Sequence, residues 1–227
     1  MTVQVCTVWC PRPKHEKWRD DYLHIMALQK QTAERFGHDH LVVTDGPAID
    51  GFNCLTVRDM PDSLMRAMIA GAIERLAQPV DSHILLVDVD VLIAKPLDEA
   101  FTGEWDLGLT YRENEVAPIN NGVMYLHRGG ENAARRFFSR ALARCKDHWG
   151  GDQEAISQEA QPVPQRDCVK VREGGLRLGF LNTKKHAAVP KAHLSKHDKE
   201  TFAVHFKGDT KKWLEDYANN FLLKAEA

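Results

Sequence analysis

The chain lacks several features, and each absence narrows what it is. No run of eighteen apolar residues occurs in its 227 positions, so no segment reads as a transmembrane helix. Cysteines are few, odd in number and scattered: Cys6, Cys10, Cys54, Cys145 and Cys168 imply no disulfide framework. Cys6 and Cys10 stand four apart, but a zinc site needs a second pair of ligands and none lies nearby in sequence; buried thiols along a first strand account for them better. Low-complexity linkers and internal repeats are missing too. The opening Met1–Val5 lacks the basic-then-apolar order of a signal peptide and reads as the start of a strand, so a cytoplasmic location is expected.

What is present is ordinary globular material. Hydrophobic residues make up 43% and charged residues 27%, which excludes a disordered chain, and the length suits one sizeable α/β domain over 1–227. The formal net charge of −2 conceals an asymmetry. Residues 1–165 carry 17 basic against 24 acidic side chains, while residues 166–212 carry 12 basic against 5 acidic. A basic segment on an acidic body suits an anionic ligand, although a solvated surface has the same composition.

Hydrophobic periodicity predicts strands at Val3–Trp9, His40–Thr44, Cys54–Val57, Trp105–Tyr111 and Gly122–Leu126. Helices are expected from Glu16 to Phe36, with Trp18, Tyr22, Ile25 and Met26 on the apolar face, from Asp62 or Ser63 to Ala77, and over Glu131–Ala143. The densest apolar run, His83–Ile93, reads as one central strand. Val169–Val171, Arg177–Phe180 and Phe202–Phe206 are short strand candidates, and Thr210–Leu223 reads as a terminal helix. Strands alternating with helices imply a mostly parallel sheet covered on both faces.

Two carboxylates interrupt that central strand, at Asp88 and Asp90. Residues two apart on a strand point the same way, and two buried like charges are costly without a cation between them. A hard divalent ion such as Mn²⁺ or Mg²⁺ takes oxygen ligands and resolves the repulsion. Further along, His205 ends a short apolar run and is followed by Lys207, Gly208 and Lys211. A neutral imidazole can complete a carboxylate metal site, the glycine lets backbone approach a diphosphate, and the lysines neutralise its charge. An Asp-x-Asp pair after an apolar strand has two readings: a sugar-nucleotide transferase, or a haloacid dehalogenase-like phosphohydrolase with Asp88 as nucleophile. The phosphohydrolase motif sits on the first strand of its core, whereas here about eighty residues precede the pair.

His205 to Trp213 match the pattern His-Phe-x-Gly-x-x-Lys-x-Trp, and the chain thereby resembles glycosyltransferase family 8, the glycogenin and lipopolysaccharide galactosyltransferase group. Asp88-Val89-Asp90, Asn120-Asn121-Gly122-Val123 and Asp152-Gln153 resemble three further family motifs in the same order, and Arg66 resembles a donor-contacting basic residue. The resemblance implies a GT-A nucleotide-diphosphosugar transferase fold, a UDP-sugar donor, and Mn²⁺ (or Mg²⁺) held by Asp88, Asp90 and His205. It places Thr7, Val8 and Trp9 against the base, and Asn120, Asp152 and Gln153 at the transferred sugar as the catalytic group. Arg66, Asp88, Val89, Asn121, Lys207, Gly208 and Lys211 complete the donor site, and anomeric configuration is retained. Several of these motifs have plainer readings: Asn120-Asn121-Gly122 also suits a turn, Asp152 a helix cap, and His193 with His197 a solvated polar stretch. The compact stretch between Tyr111 and Asn120 and the segment 160–200 are expected to shape the acceptor site. A saccharide, a lipid-linked saccharide or a polymer such as DNA would suit it as acceptor. A non-catalytic sugar-nucleotide binder would carry the same donor motifs.

Overall fold

The structure, a computed structural model, describes residues 2–13, 19–79, 81–113, 115–162, 165 and 167–224. The expected helix start at Glu16 and Trp18 lies outside them. Eight strands form one mixed sheet. At its centre β1 (Val3–Val8) pairs in parallel with β2 (Asp39–Thr44) and β4 (His83–Val87), and β3 (Cys54–Thr56) continues beyond β2. On the other side β7 (Ile119–Leu126) runs antiparallel to β4 and to β6 (Leu107–Tyr111). β9 (Arg177–Asn182) then pairs in parallel with β6, and β8 (Cys168–Val171) closes that edge.

The period-two pattern of the strands decides which layer covers which face. Cys6, Val8, Ile84, Leu86, Met124 and Leu126 point to one side. There they meet α2 (Leu64–Ala77), α3 (Glu131–Arg144) and α4 (Gly151–Ala160), which pack on one another. Val3, Val5, Leu85, Val87 and Tyr125 point to the opposite side, against Phe101, Trp105 and Phe202. On this side α1 (Arg19–Glu34) packs along a second, two-stranded ladder. Full burial of side chains such as Phe137, Phe138 and Tyr125 contributes about 1.5–3 kcal/mol each.

Two expectations are corrected here. The run His83–Ile93 is not one strand: β4 ends at Val87, residues 88–90 turn, and β5 (Val91–Ile93) pairs instead with β10 (Ala203–His205) in the separate ladder. Apolar density cannot reveal this change of sheet, whereas aspartates are poor strand formers and good turn formers. Nor is Thr210–Leu223 a single helix. Gly208–Trp213 winds as a 3₁₀ turn, one α-turn follows as α6 (Leu214–Tyr217), and Ala218–Leu222 is a wide π-turn.

Smaller departures share one cause, because side-chain pattern fixes element type better than element ends. β7 begins at Ile119, so Asn120 and Asn121 lie in a strand rather than a turn, beside a register shift between Leu109 and Thr110. α4 begins at Gly151 after Gly150 adopts φ +83°, which places Asp152 inside the first turn rather than at the cap. All five cysteines are free thiols, with Cys6 and Cys10 buried. Among the described residues no helix is long and apolar enough to cross a membrane.

One buried histidine makes stability depend on pH. His186, at the end of the short α5 (Thr183–His186), packs its ring against Tyr125 at 5.1 Å and Phe202 at 5.3 Å, and its Nδ1 has no partner. Burial, with Lys185 adding, lowers its pKa to about 4. Its contribution is therefore intact above the unfolded value near 6.5 and is lost as pH falls towards 4, on the order of 3 kcal/mol. His186→Phe keeps the ring packing, and its melting temperature should fall less between pH 7 and pH 4.5 than that of the wild type. Equal slopes in thermal melts would refute the assignment.

Candidate functional site

The turn between β4 and β5 is where the site begins. The Asp88 N–H donates to the Gly122 carbonyl at 3.0 Å, carrying the β4–β7 ladder one residue past its end, and the Val91 N–H then closes the turn on the Asp88 carbonyl at 3.3 Å. From inside the protein, Gln29 of α1 holds the same turn: its amide nitrogen donates to the carbonyls of Asp88 at 2.7 Å and Val91 at 2.9 Å. Its amide oxygen accepts from the Thr7 hydroxyl and faces His40 Nε2 at 3.0 Å. Burial lowers His40 to about 4, so at neutral pH this fully buried network holds no charge of its own.

β10 brings the third residue. Its antiparallel register sets His205 opposite Val91, and the Phe206 N–H donates to the Asp90 carbonyl at 2.9 Å. One ligand atom from each of Asp88, Asp90 and His205 then lies within 4.8 Å of the others. His205 Nε2 stands 3.5 Å from Asp88 Oδ2 and 3.2 Å from Asp90 Oδ1, yet that Asp90 oxygen is buried and makes no hydrogen bond. Two carboxylates and an imidazole aimed at a common point, with a buried oxygen left over, are a donor set that fits a hard divalent cation.

The electrostatics fit the same picture. Burial raises Asp88 to about 6; His205 opposes that rise and Asp90 and Asp152 add to it, while a third of the side chain stays open to the groove. Burial would raise Asp90 as well, but its contacts with His205 and Lys211 carry it below the ordinary range. Lys211 Nζ sits 2.8 Å from Asp90 Oδ2, and this pairing outweighs burial and lifts the lysine above its usual value. Lys207 donates to Asn120 Oδ1 at 2.6 Å, and the Asn120 amide nitrogen in turn reaches the His205 ring at 3.5 Å. Burial, then the charge of Arg112, lowers Lys207.

Next to this cluster, Asn121 donates to Asp152 Oδ2 at 2.6 Å and the Gln153 N–H to Asp152 Oδ1 at 2.8 Å. Burial still raises Asp152 despite both donors. The Gln153 side chain ties the Ala117 carbonyl at 2.8 Å. Asp88, Asp90, His205, Asn120, Lys207 and Lys211 are thus joined in one network, with Asn121, Asp152 and Gln153 beside it. Val8 lines a small gap together with Asp88 and Asn121.

The remaining candidates are placed differently. Thr7 is fully buried and spends its hydroxyl on Gln29, so it offers no surface to a base. Trp9 stacks on Tyr22 at 5.1 Å and borders a hollow of about 230 Å³ shared with Arg19, Thr44 and Pro47. Val89 packs near Trp9 and Met26. Arg66 reaches the Cys145 carbonyl at 3.4 Å. Gly208 adopts φ +51° with open space where a side chain would stand. His193 pairs with Asp216 and His197 with Tyr217, and neither belongs to the Asp88, Asp90 and His205 group.

The role of one residue, and the reason for a second, are not legible in the sequence. Gln29 was legible only as a polar residue on an apolar helix face. Gly122 was noted as part of a motif, but its reason is steric: a Cβ there would lie 2.1 Å from His205 Cε1 and 2.5 Å from Asp88 Oδ2.

No protein-family model and no curated protein matches the chain. Solved structures do match in fold. A glycosyltransferase involved in glycosylation of the major capsid of PBCV-1 superposes with a TM-score of 0.60 at 13% identity, over 96% of this chain and 99% of that one. The galactosyltransferase LgtC, in complex with donor and acceptor sugar analogs, gives 0.55 at 12% identity over 98% of both chains. The glycosyltransferase GlyE of Streptococcus pneumoniae TIGR4 gives 0.56 at 11% identity, over 98% of this chain and 60% of that one. The chain therefore has the GT-A glycosyltransferase fold.

Proposed function

We propose that this protein is a metal-dependent glycosyltransferase that moves a hexose from a UDP-sugar to an acceptor hydroxyl with retention of configuration. The observation that carries the reading is the convergence of Asp88, Asp90 and His205 within 4.8 Å at the end of a central strand, in a fold shared with glycosyltransferases. Asp88, Asp90 and His205 would hold Mn²⁺ or Mg²⁺, which supplies charge stabilisation to the departing diphosphate. Lys207 stands on the same network and Lys211 on the Asp90 edge, where each adds positive charge as UDP leaves. Trp9 offers an aromatic wall to the base. Asn120, Asp152 and Gln153 are assigned to the transferred sugar. The acceptor oxygen bonds to the anomeric carbon on the face from which UDP leaves, through an oxocarbenium-like state, and the acceptor proton departs with the diphosphate.

The test is UDP release from UDP-glucose and UDP-galactose, with Mn²⁺ and then with EDTA. Release from one donor, at least about tenfold lower in EDTA, is the expected result. UDP binding without release from any donor would mark a silent sugar-nucleotide binder. Hydrolysis of p-nitrophenyl phosphate with no UDP binding would revive Asp88 as a phosphohydrolase nucleophile.

A further inference from the structure

Beside the Asp–Asp–His cluster lies a cleft of about 500 Å³, a size that encloses a compact ligand. Asn120 and Lys207 line it, so it opens directly onto the network described above. Around it stand Arg112, Lys184, Lys191 and Lys196, with Asp198 as the acidic residue among its lining. Lys184, Lys191 and Lys196, with Lys207, come from the basic segment 166–212.

These cations differ from others in the protein. Lys30, Lys95 and Lys211 each face a carboxylate. The ammonium groups of Lys184, Lys191 and Lys196 make no ion pair or hydrogen bond among the described residues, although α5 and the following segment 187–198 gather them round one hollow. Arg112 is only partly satisfied: it reaches Glu115 at 3.6 Å and the Ala117 carbonyl at 3.4 Å, while its Nε is buried without a partner. Like charges gathered round a concave surface repel one another, and an anion placed among them reverses the sign of that interaction.

From this geometry we infer that the acceptor carries phosphate, and that the cleft of Arg112, Lys184, Lys191 and Lys196 holds that phosphate while an acceptor hydroxyl meets the donor sugar. The inference rests on the transferase reading and names its substrate class: a phosphorylated saccharide. A phosphate dianion offers several acceptor oxygens to these donors. A single hollow of about 500 Å³ has room for a compact phosphorylated saccharide, whereas the phosphates of a polymer would be tracked by an extended stripe of charge. The acceptor phosphate takes no part in the bond changes, which remain those of the proposed transfer.

The test is a titration of glucose 6-phosphate, glucose and inorganic phosphate into the protein, both free and holding UDP with Mn²⁺. A second arm uses a short oligothymidylate. Glucose 6-phosphate and inorganic phosphate should bind and glucose should not, and Lys191→Gln/Lys196→Gln should weaken binding at least about tenfold, the scale of losing one charge-assisted hydrogen bond. UDP release to water should be unchanged in that variant. Equal binding of glucose and its phosphate, an unaffected variant, or binding of the oligothymidylate alone would each overturn the inference. Because phosphate binding is read on the free protein as well, a failure to bind UDP sinks the transferase reading separately.

Discussion

Asp90→Ala should abolish metal-stimulated UDP release, lowering the rate by about 10³-fold, the scale of several kcal/mol of lost charge stabilisation. Asp90 is 4% exposed and stands between His205 and Lys211. Removing it deletes one donor of the cluster and also leaves the Lys211 ammonium without its carboxylate, the change that makes breaking a partly buried pair expensive. Asp90→Asn isolates the charge from the space, since it keeps the volume and a neutral oxygen while removing the carboxylate from the cluster and from Lys211 alike. Wild-type protein should rise in melting temperature with Mn²⁺, whereas both variants should bind Mn²⁺ weakly by electron paramagnetic resonance and show no such rise. Wild-type Mn²⁺ affinity in Asp90→Ala would dissociate this cluster from the metal.

Gly122→Ala should inactivate the protein just as fully without touching any polar group. The added methyl would sit 2.1 Å from His205 Cε1 and 2.5 Å from Asp88 Oδ2, far inside contact distance. His205 is 2% exposed and is held by β10 pairing with β5, so it has little room to retreat. Overpacking of this kind costs about 1–3 kcal/mol of stability, which the fold should survive. Unchanged circular dichroism with loss of both Mn²⁺ binding and UDP release is the expected pattern. An active Gly122→Ala protein would show that the His205 ring lies elsewhere when the site works.

How far the residues themselves disclosed this arrangement depends on the kind of signal. The apolar runs at Val3–Val8 and His83–Val87 and the amphipathic stretches of α2 and α3 announced themselves by periodicity, because burial imposes it. Asp88, Asp90 and His205 stood out because charged or titratable groups rarely interrupt such runs. The two aspartates nevertheless share a turn between two sheets, not one face of a strand, because β4 ends at Val87 and β5 begins at Val91. Pairing partners are chosen across more than a hundred residues, as in His205 opposite Val91, and no local pattern encodes that choice. Gln29 is the clearest case: its value lies wholly in carbonyls that the fold delivers to it. The broken C-terminal helix shows the converse. Helical spacing was present, but Gly208 at positive φ and the 3₁₀ winding after it gave the segment a different local geometry.

The separate ladder of β5 and β10 gives the protein a direction in time. A ribosome delivers Asp88 and Asp90 more than a hundred residues before His205, into a nascent chain that can already pair β1, β2 and β4. Until Ala203–His205 emerges and docks on Val91–Ile93, the two carboxylates have no imidazole beside them. A stalled or truncated product ending near residue 200 would therefore hold β1, β2 and β4 and yet never assemble the three-residue cluster, which is completed only late in synthesis.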